Sequence, residues 1–143
     1  MIPNEERPFA GVGKSVGDRH LREYHNARAM TPAFGAYTTA NDMAELVKFL
    51  LGFGPENLLP DELRQQMAAP QQFGRGLGLR SGRLNDHRVA RHDGWFAAHR
   101  SHLLLDIEAD VGVVVLANSD NAAPALIAEA LLAATLGIES DVQ

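Results

Sequence analysis

The stretch from Arg91 to Ser101 reads RHDGWFAAHRS and holds several groups that could do chemistry. It has the triplet His92-Asp93-Gly94, the chain's single tryptophan at position 95 and a second histidine at position 99. Histidine is the most frequent general acid or base, and glycine lets a ligand approach a strand closely. Trp95 follows that glycine at a strand bend, so its backbone N–H is of more interest than its ring. This combination is typical of a hydrolytic cleft, which also requires a nucleophile.

A lysine-assisted serine nucleophile requires Ser-x-x-Lys, which puts the amine one helical turn from the hydroxyl. No serine of this chain has a lysine three residues later: Ser15, Ser81, Ser101, Ser119 and Ser140. The chain also has no cysteine, which excludes a thiolate nucleophile. Gly13-Lys14-Ser15 has the letters that end a phosphate-binding loop, but Pro8 stands where that loop needs its first glycine. We therefore interpret this stretch as part of a flexible arm.

Histidines could instead bind a metal ion, since four of them fall in or beside predicted strands: His87, His92, His99 and His102. No His-x-His or His-x-x-x-His pair gives a chelating face. His99 and His102 are an odd number of residues apart, so on one strand they point to opposite faces. We therefore predict polar residues on a half-exposed sheet, with no metal and no cofactor.

Composition excludes several classes of protein. The formal net charge of −5, without a cluster of Lys or Arg, argues against a nucleic-acid binder. No apolar run is long enough to span a membrane. The start MIPNEERPFAGVGK has early acidic residues and no apolar stretch, so no signal peptide is predicted and the compartment stays open.

Periodicity places the helices. Residues 1–36 show no period and predict an irregular arm or a remnant of an upstream region, followed by one structured region over residues 37–143. Thr39 and Asp42 have the spacing of a capping box, and an apolar stripe at helical spacing follows, ending near Gly52. Pro60 suits the first turn of a second short helix.

After Pro70 the pattern becomes that of strands, with turns near residues 84–86 and 108–110. The run from Val111 to Leu116 is apolar on both faces, which predicts a central strand covered on both sides. A final helix with Pro124 in its first turn has only Glu129 as a charged residue, so we expect it to be buried over much of its girth. The prediction is an α+β fold: an antiparallel sheet of about four strands, with two helices before it and a C-terminal helix packed on it.

Five landmarks in order resemble the C-terminal part of the serine β-lactamase and penicillin-binding-protein-like superfamily, in its class C and esterase branch. They are GAYTTANDM (35–43), LLPDEL (58–63), FGRGLG (73–78), HDG (92–94) and the stretch 103–118, which ends in Val-Leu-Ala-Asn. The triplet His92-Asp93-Gly94 is similar to the His-x-Gly form of the family's third catalytic motif, elsewhere Lys-Thr-Gly. The resemblance implies a partial β-lactamase/transpeptidase-like fold.

The resemblance also implies roles for the first stretch. His92 would face the bound substrate and relay a proton, and the Trp95 backbone N–H would be the second oxyanion-hole donor. Asp93, Gly94 and His99 are the accompanying candidates for substrate binding. Two departures stand out: residues 97–99 read Ala-Ala-His where the family has a Pro-Gly-Phe-like bend, and Tyr24-His25-Asn26 fits Tyr-x-Asn but lies too close to the helix that follows.

Three interpretations stay open. The chain is the C-terminal part of an acyl-serine hydrolase, inactive alone because Ser-x-x-Lys is absent; or it is a non-catalytic binding or regulatory module derived from that fold; or it is an enzyme that uses His92 and His99 with another group. The resemblance implies a small acyl substrate (β-lactam, D-alanyl peptide or ester). It also implies a partner, either an N-terminal hydrolase portion or a second copy at an exposed sheet edge. Relatives are often periplasmic or secreted.

Overall fold

The computed structural model describes residues 28–34, 36–55, 58–70, 73, 75–96 and 98–139. In chain order, the elements are a 3-10 turn (Arg28–Met30), α1 (Thr31–Phe34), α2 (Ala40–Leu51), α3 (Asp61–Ala68), β1 (Arg80–Leu84), β2 (His87–Phe96), β3 (His99–Asp106), β4 (Val111–Ala117) and α4 (Pro124–Leu136). The α+β fold class is confirmed. Residues 28–34 were predicted to be irregular, but they are helical. The preceding residues of the predicted arm, 1–27, lie outside the described residues.

The capping signals place α2 as predicted. The Thr39 hydroxyl accepts a hydrogen bond from the Asp42 backbone N–H, and the Asp42 carboxylate accepts one from the Thr39 N–H, which completes the capping box. Gly52 ends the helix in the left-handed conformation, with φ of 95°. A fixed start and end hold the apolar stripe of α2 at a defined rotation toward the sheet.

The four strands form one antiparallel meander in the order β1-β2-β3-β4. β4 was predicted to be central, but among the described strands it lies at an edge and pairs with β3 alone. Its double-sided apolar pattern has a different cause: Val114 packs on the α2 side of the sheet and Val113 on the α4 side. Helices on both faces, and not two neighbouring strands, explain the sequence pattern.

The last helix is less buried than predicted. Ala128 and Leu132 are fully buried against β3 and β4, but the opposite side carries Leu126, Ile127 and Leu131, each about half exposed. We call these three residues the outer α4 face. The apolar sequence of this helix predicts burial over much of its girth, whereas within the described residues only one side of α4 has a packing partner.

Asp106 anchors the turn between β3 and β4. Its side chain is completely buried. Oδ1 accepts hydrogen bonds from the backbone N–H groups of Glu108 and Ala109, both at 3.0 Å, and Oδ2 lies 2.6 Å from Nδ1 of His87. One carboxylate therefore ties this turn to the first residue of β2, the strand that carries the candidate site.

Candidate functional site

The register of β2 and β3 divides the candidate residues between the two faces of the sheet. His92 pairs with Leu103, and Gly94 pairs with Ser101, on the face that α2 covers. Side chains alternate along a strand, so Asp93 lies on the α4 face. The predicted catalytic histidine and the predicted close-approach glycine thus share one face, and the residue between them does not.

A cleft of about 240 Å³ lies between that face and the helices α2 and α3. Its apolar wall includes Met43, Leu46 and Leu50 of α2, and His92 and Ser101 contribute polar groups from the sheet. Among the described residues no Lys, Arg, Asp or Glu lines it. The arrangement suits an apolar ligand with a polar group that needs a hydrogen bond or a proton.

Gly94 makes a close approach to its neighbour across the strands, Ser101. A Cβ atom added at position 94 would lie 2.2 Å from Oγ of Ser101, well inside van der Waals contact. The glycine was predicted to let a substrate approach the strand. In this structure the Ser101 hydroxyl occupies the space where a side chain at position 94 would begin. Ser101 has no lysine three residues later and so does not stand out in the sequence; its register opposite Gly94 brings it to the cleft.

Replacing Gly94 by alanine should therefore force the Ser101 hydroxyl out of its position and destabilise the fold by about 1 kcal/mol, at the low end of overpacking costs because that hydroxyl can rotate. The free energy of unfolding, from urea titration of G94A, checks this prediction. In the S101G background the same replacement should cost much less, because the obstructing hydroxyl is gone. An equal cost in both backgrounds would show that the Ser101 contact is not the reason for the glycine.

Asp93 was predicted to bind substrate, but its carboxylate faces away from the cleft. Oδ1 lies 2.7 Å from Nδ1 of His102, and Oδ2 lies 3.4 Å from Nη1 of Arg80. His102 is only 1% exposed, so it is not the half-exposed residue that the sequence suggested. Strand alternation explains this orientation, since the side chains of Asp93 and of its cleft-lining neighbour His92 must lie on opposite faces. Asp93 instead joins the first residue of β1 to β3 on the α4 face.

The backbone N–H of Trp95 points away from β3. Leu84 and His87 flank a two-residue turn, so they exchange both backbone hydrogen bonds. Backbone direction alternates along a strand, and Trp95 is an even number of residues from His87. Its N–H therefore points toward the β1 side of β2. The pairing with β1 ends at the Arg80–Arg91 pair, and Trp95 lies four residues beyond Arg91. This direction is compatible with a donor to a ligand at the edge of the sheet.

The Trp95 indole is fixed on the α4 face although it is 63% exposed. Its Nε1 donates a hydrogen bond to Oδ1 of the buried Asp120 at 3.0 Å. The Arg100 guanidinium lies over the ring, 4.9 Å from its centroid, at a cation–π distance. No spacing rule connects this ring with Asp120, which lies 25 residues further along the chain.

His99 begins β3, opposite Phe96, on the same face as Ser101 but beyond the residues that line the cleft. No group of three or more His, Asp or Glu in the described part of the chain is arranged to hold a metal ion. None of the described helices is long and apolar enough to cross a membrane.

Comparison with known proteins settles the family. The family model for beta-lactamase matches residues 2–137, almost the whole chain. The chain belongs to the beta-lactamase family. The match begins at residue 2, so it also includes most of the segment that was predicted to be an arm. No curated protein matches this beta-lactamase-family chain.

One solved structure with the same fold is the octameric penicillin-binding protein homologue from Pyrococcus abyssi. The two share 22% sequence identity with a TM-score of 0.62, over 71% of this beta-lactamase-family chain and 25% of that protein. The similarity shows that the α+β arrangement is that of the β-lactamase and penicillin-binding-protein fold. The chain corresponds to about a quarter of that protein's length.

One serine that could matter lies outside the described residues. Residues 13–17 read Gly-Lys-Ser-Val-Gly, the letters of a Gly-x-Ser-x-Gly nucleophile elbow. Such an elbow requires a strand before the serine and a helix after it, and the sequence around Ser15 shows neither period. A labelling experiment on this beta-lactamase-family chain must therefore distinguish an adduct on Ser15 from an adduct on the serine of a Ser-x-x-Lys segment.

Proposed function

We propose that this chain supplies one wall of the active site of an acyl-serine hydrolase, whose Ser-x-x-Lys nucleophile comes from another polypeptide segment. The observation that supports the proposal most is the position of His92, which faces the cleft from the His-x-Gly strand. Family membership supports the reaction class, and the lack of Ser-x-x-Lys in the chain supports the need for a second segment.

In the proposed reaction, the serine oxygen attacks the carbonyl carbon of an ester or amide. The serine proton passes to the amine of the lysine in Ser-x-x-Lys. The Trp95 N–H and the N–H of the serine itself stabilise the oxyanion. The carbon–leaving-group bond then breaks, and His92 relays a proton to the departing oxygen or nitrogen. Water hydrolyses the acyl-serine. This chemistry requires no metal and no cofactor.

Two surfaces support the proposed partner. Register places the backbone groups of Gly112, Val114 and Leu116 on the outer side of β4, away from β3. The outer α4 face adds apolar area on the adjacent helix. An edge strand beside apolar side chains favours pairing with another chain. The Pyrococcus homologue is octameric, which makes a second copy of this chain the competing occupant.

The test is reconstitution. We expect no ester hydrolysis by this chain alone, and hydrolysis of a chromogenic ester when it is combined with a beta-lactamase-family segment that carries Ser-x-x-Lys but lacks its own His-x-Gly region. H92A should lower kcat/KM of the combination by about a hundredfold. R88A, on the same strand but in an exposed ion pair with Glu108, should leave it unchanged.

Turnover that survives H92A would refute the role of His92. Stable association of the two segments without any turnover would refute the hydrolase and favour the binding or regulatory module.

A further inference from the structure

We propose that the cleft on the α2 face selects a neutral aliphatic acyl group rather than a carboxylate-bearing substrate. This inference rests on the proposed function, because it names the substrate class of the same site. The cleft wall is formed by Met43, Leu46 and Leu50 of α2, with Met67 of α3 and Leu103 of the sheet. The polar side chains that reach it from the α2 face of the sheet are the imidazole of His92 and the hydroxyl of Ser101.

The arginines next in sequence to the cleft residues Leu79, His92 and Ser101 face the other way. Arg80, Arg91 and Arg100 lie on the α4 face of the sheet, by the same alternation that places Asp93 there. Arg80 contacts Asp93, Arg91 lies 3.8 Å from Glu129 of α4, and Arg100 stacks on Trp95. Arg83 and Arg88 lie on the α2 face, nearer the turn between β1 and β2, but neither lines the cleft and Arg88 is paired with Glu108. The lining formed by the described residues therefore offers an anion no permanent cation.

A carboxylate placed in an apolar cleft without a cation loses its hydration and gains no ion pair in return. Penicillins and D-alanyl peptides carry such a carboxylate, whereas a simple ester does not. An aliphatic chain along the methionine and leucine side chains would gain from apolar burial, at about 0.8 kcal/mol per methylene group. Its carbonyl would then lie toward His92 and Ser101, beside the close-packed Gly94.

Two methionines in the wall make the site directly observable. The chain has four methionines, of which Met43 and Met67 line the cleft and Met30 lies outside it. In the full-length chain with ¹³C-labelled methionine methyl groups, methyl hexanoate should shift the NMR signals of Met43 and Met67 saturably and leave that of Met30 in place. Hexanoate and benzylpenicillin at neutral pH should bind about tenfold more weakly or worse, a difference of about 1.4 kcal/mol.

A charge placed in the wall should reverse the preference. Leu46 is 40% exposed, so L46K is compatible with folding, and its ammonium group should let hexanoate bind while weakening methyl hexanoate. L131K, at a 50% exposed position of the outer α4 face, is the matched control and should bind like the parent.

Binding of benzylpenicillin or hexanoate as tight as that of methyl hexanoate would overturn this inference, as would the absence of any ester-induced shift at Met43 and Met67. Neither result decides the proposed function, which is tested separately by ester turnover in the reconstituted hydrolase. Ester binding together with failed reconstitution would instead retain the cleft assignment and refute the hydrolase.

Discussion

Replacing Trp95 by proline will lower kcat/KM of the assembled hydrolase by about a hundredfold or more relative to the W95A variant. Both variants lose the indole and its contacts with Asp120 and Arg100, but only proline also removes the backbone N–H. A lost oxyanion donor costs about 10²–10³ in kcat in other hydrolases. The ratio of the two variants therefore isolates the N–H from the side chain.

The fold should tolerate this proline because the Trp95 backbone groups point away from β3. Proline lacks the N–H that a strand ladder uses, so it is compatible with the pairing of β2 and β3 at a position whose nitrogen points away from β3. Equal melting temperatures of W95P and W95A would confirm that the ladder with β3 is intact. Equal kcat/KM values for the two folded variants would rule out the N–H as an oxyanion donor.

Removing the Asp106 carboxylate should cost about 3–5 kcal/mol of the free energy of unfolding. The side chain is completely buried, and D106A leaves the N–H groups of Glu108 and Ala109 and the His87 ring without their acceptor. Each hydrogen-bonding group that is left without its partner costs about 1–3 kcal/mol. Urea denaturation should show a lower midpoint with an unchanged slope.

The exposed turn residue Asp86 offers the matched control, since D86A should change the free energy of unfolding by less than about 0.5 kcal/mol. If D106A does not fold, D106N gives a smaller and measurable loss, because its amide oxygen still accepts from the turn. A cost of D106A below about 1 kcal/mol would show that the turn holds without this carboxylate.

Local signals predicted the elements of the fold well. The capping box at Thr39, the glycine at position 52 and the two-residue turn after Leu84 act within a few residues, so spacing alone identifies them. The position of β4 and the half-exposed outer α4 face were missed for a different reason. Apolar pattern reports that a side chain is covered, but not whether a strand or a helix covers it.

The candidate site shows the same limit. His92 and Gly94 were identified from a contiguous triplet, and strand alternation keeps them on one face. Ser101, His102 and Asp120 were missed because they reach this region only through the register of β3 and the chain that follows β4. Asp93 was misassigned because a motif read as letters carries no information on which face each residue occupies.

The most direct test of the central claim is intact-protein mass spectrometry after treatment with a fluorophosphonate. This chain alone should show no adduct, and its combination with a Ser-x-x-Lys segment should show one adduct per complex, on the serine of that segment. A stoichiometric adduct on this chain, at Ser15, Ser101 or any other serine, would contradict the account and show that the chain carries its own nucleophile.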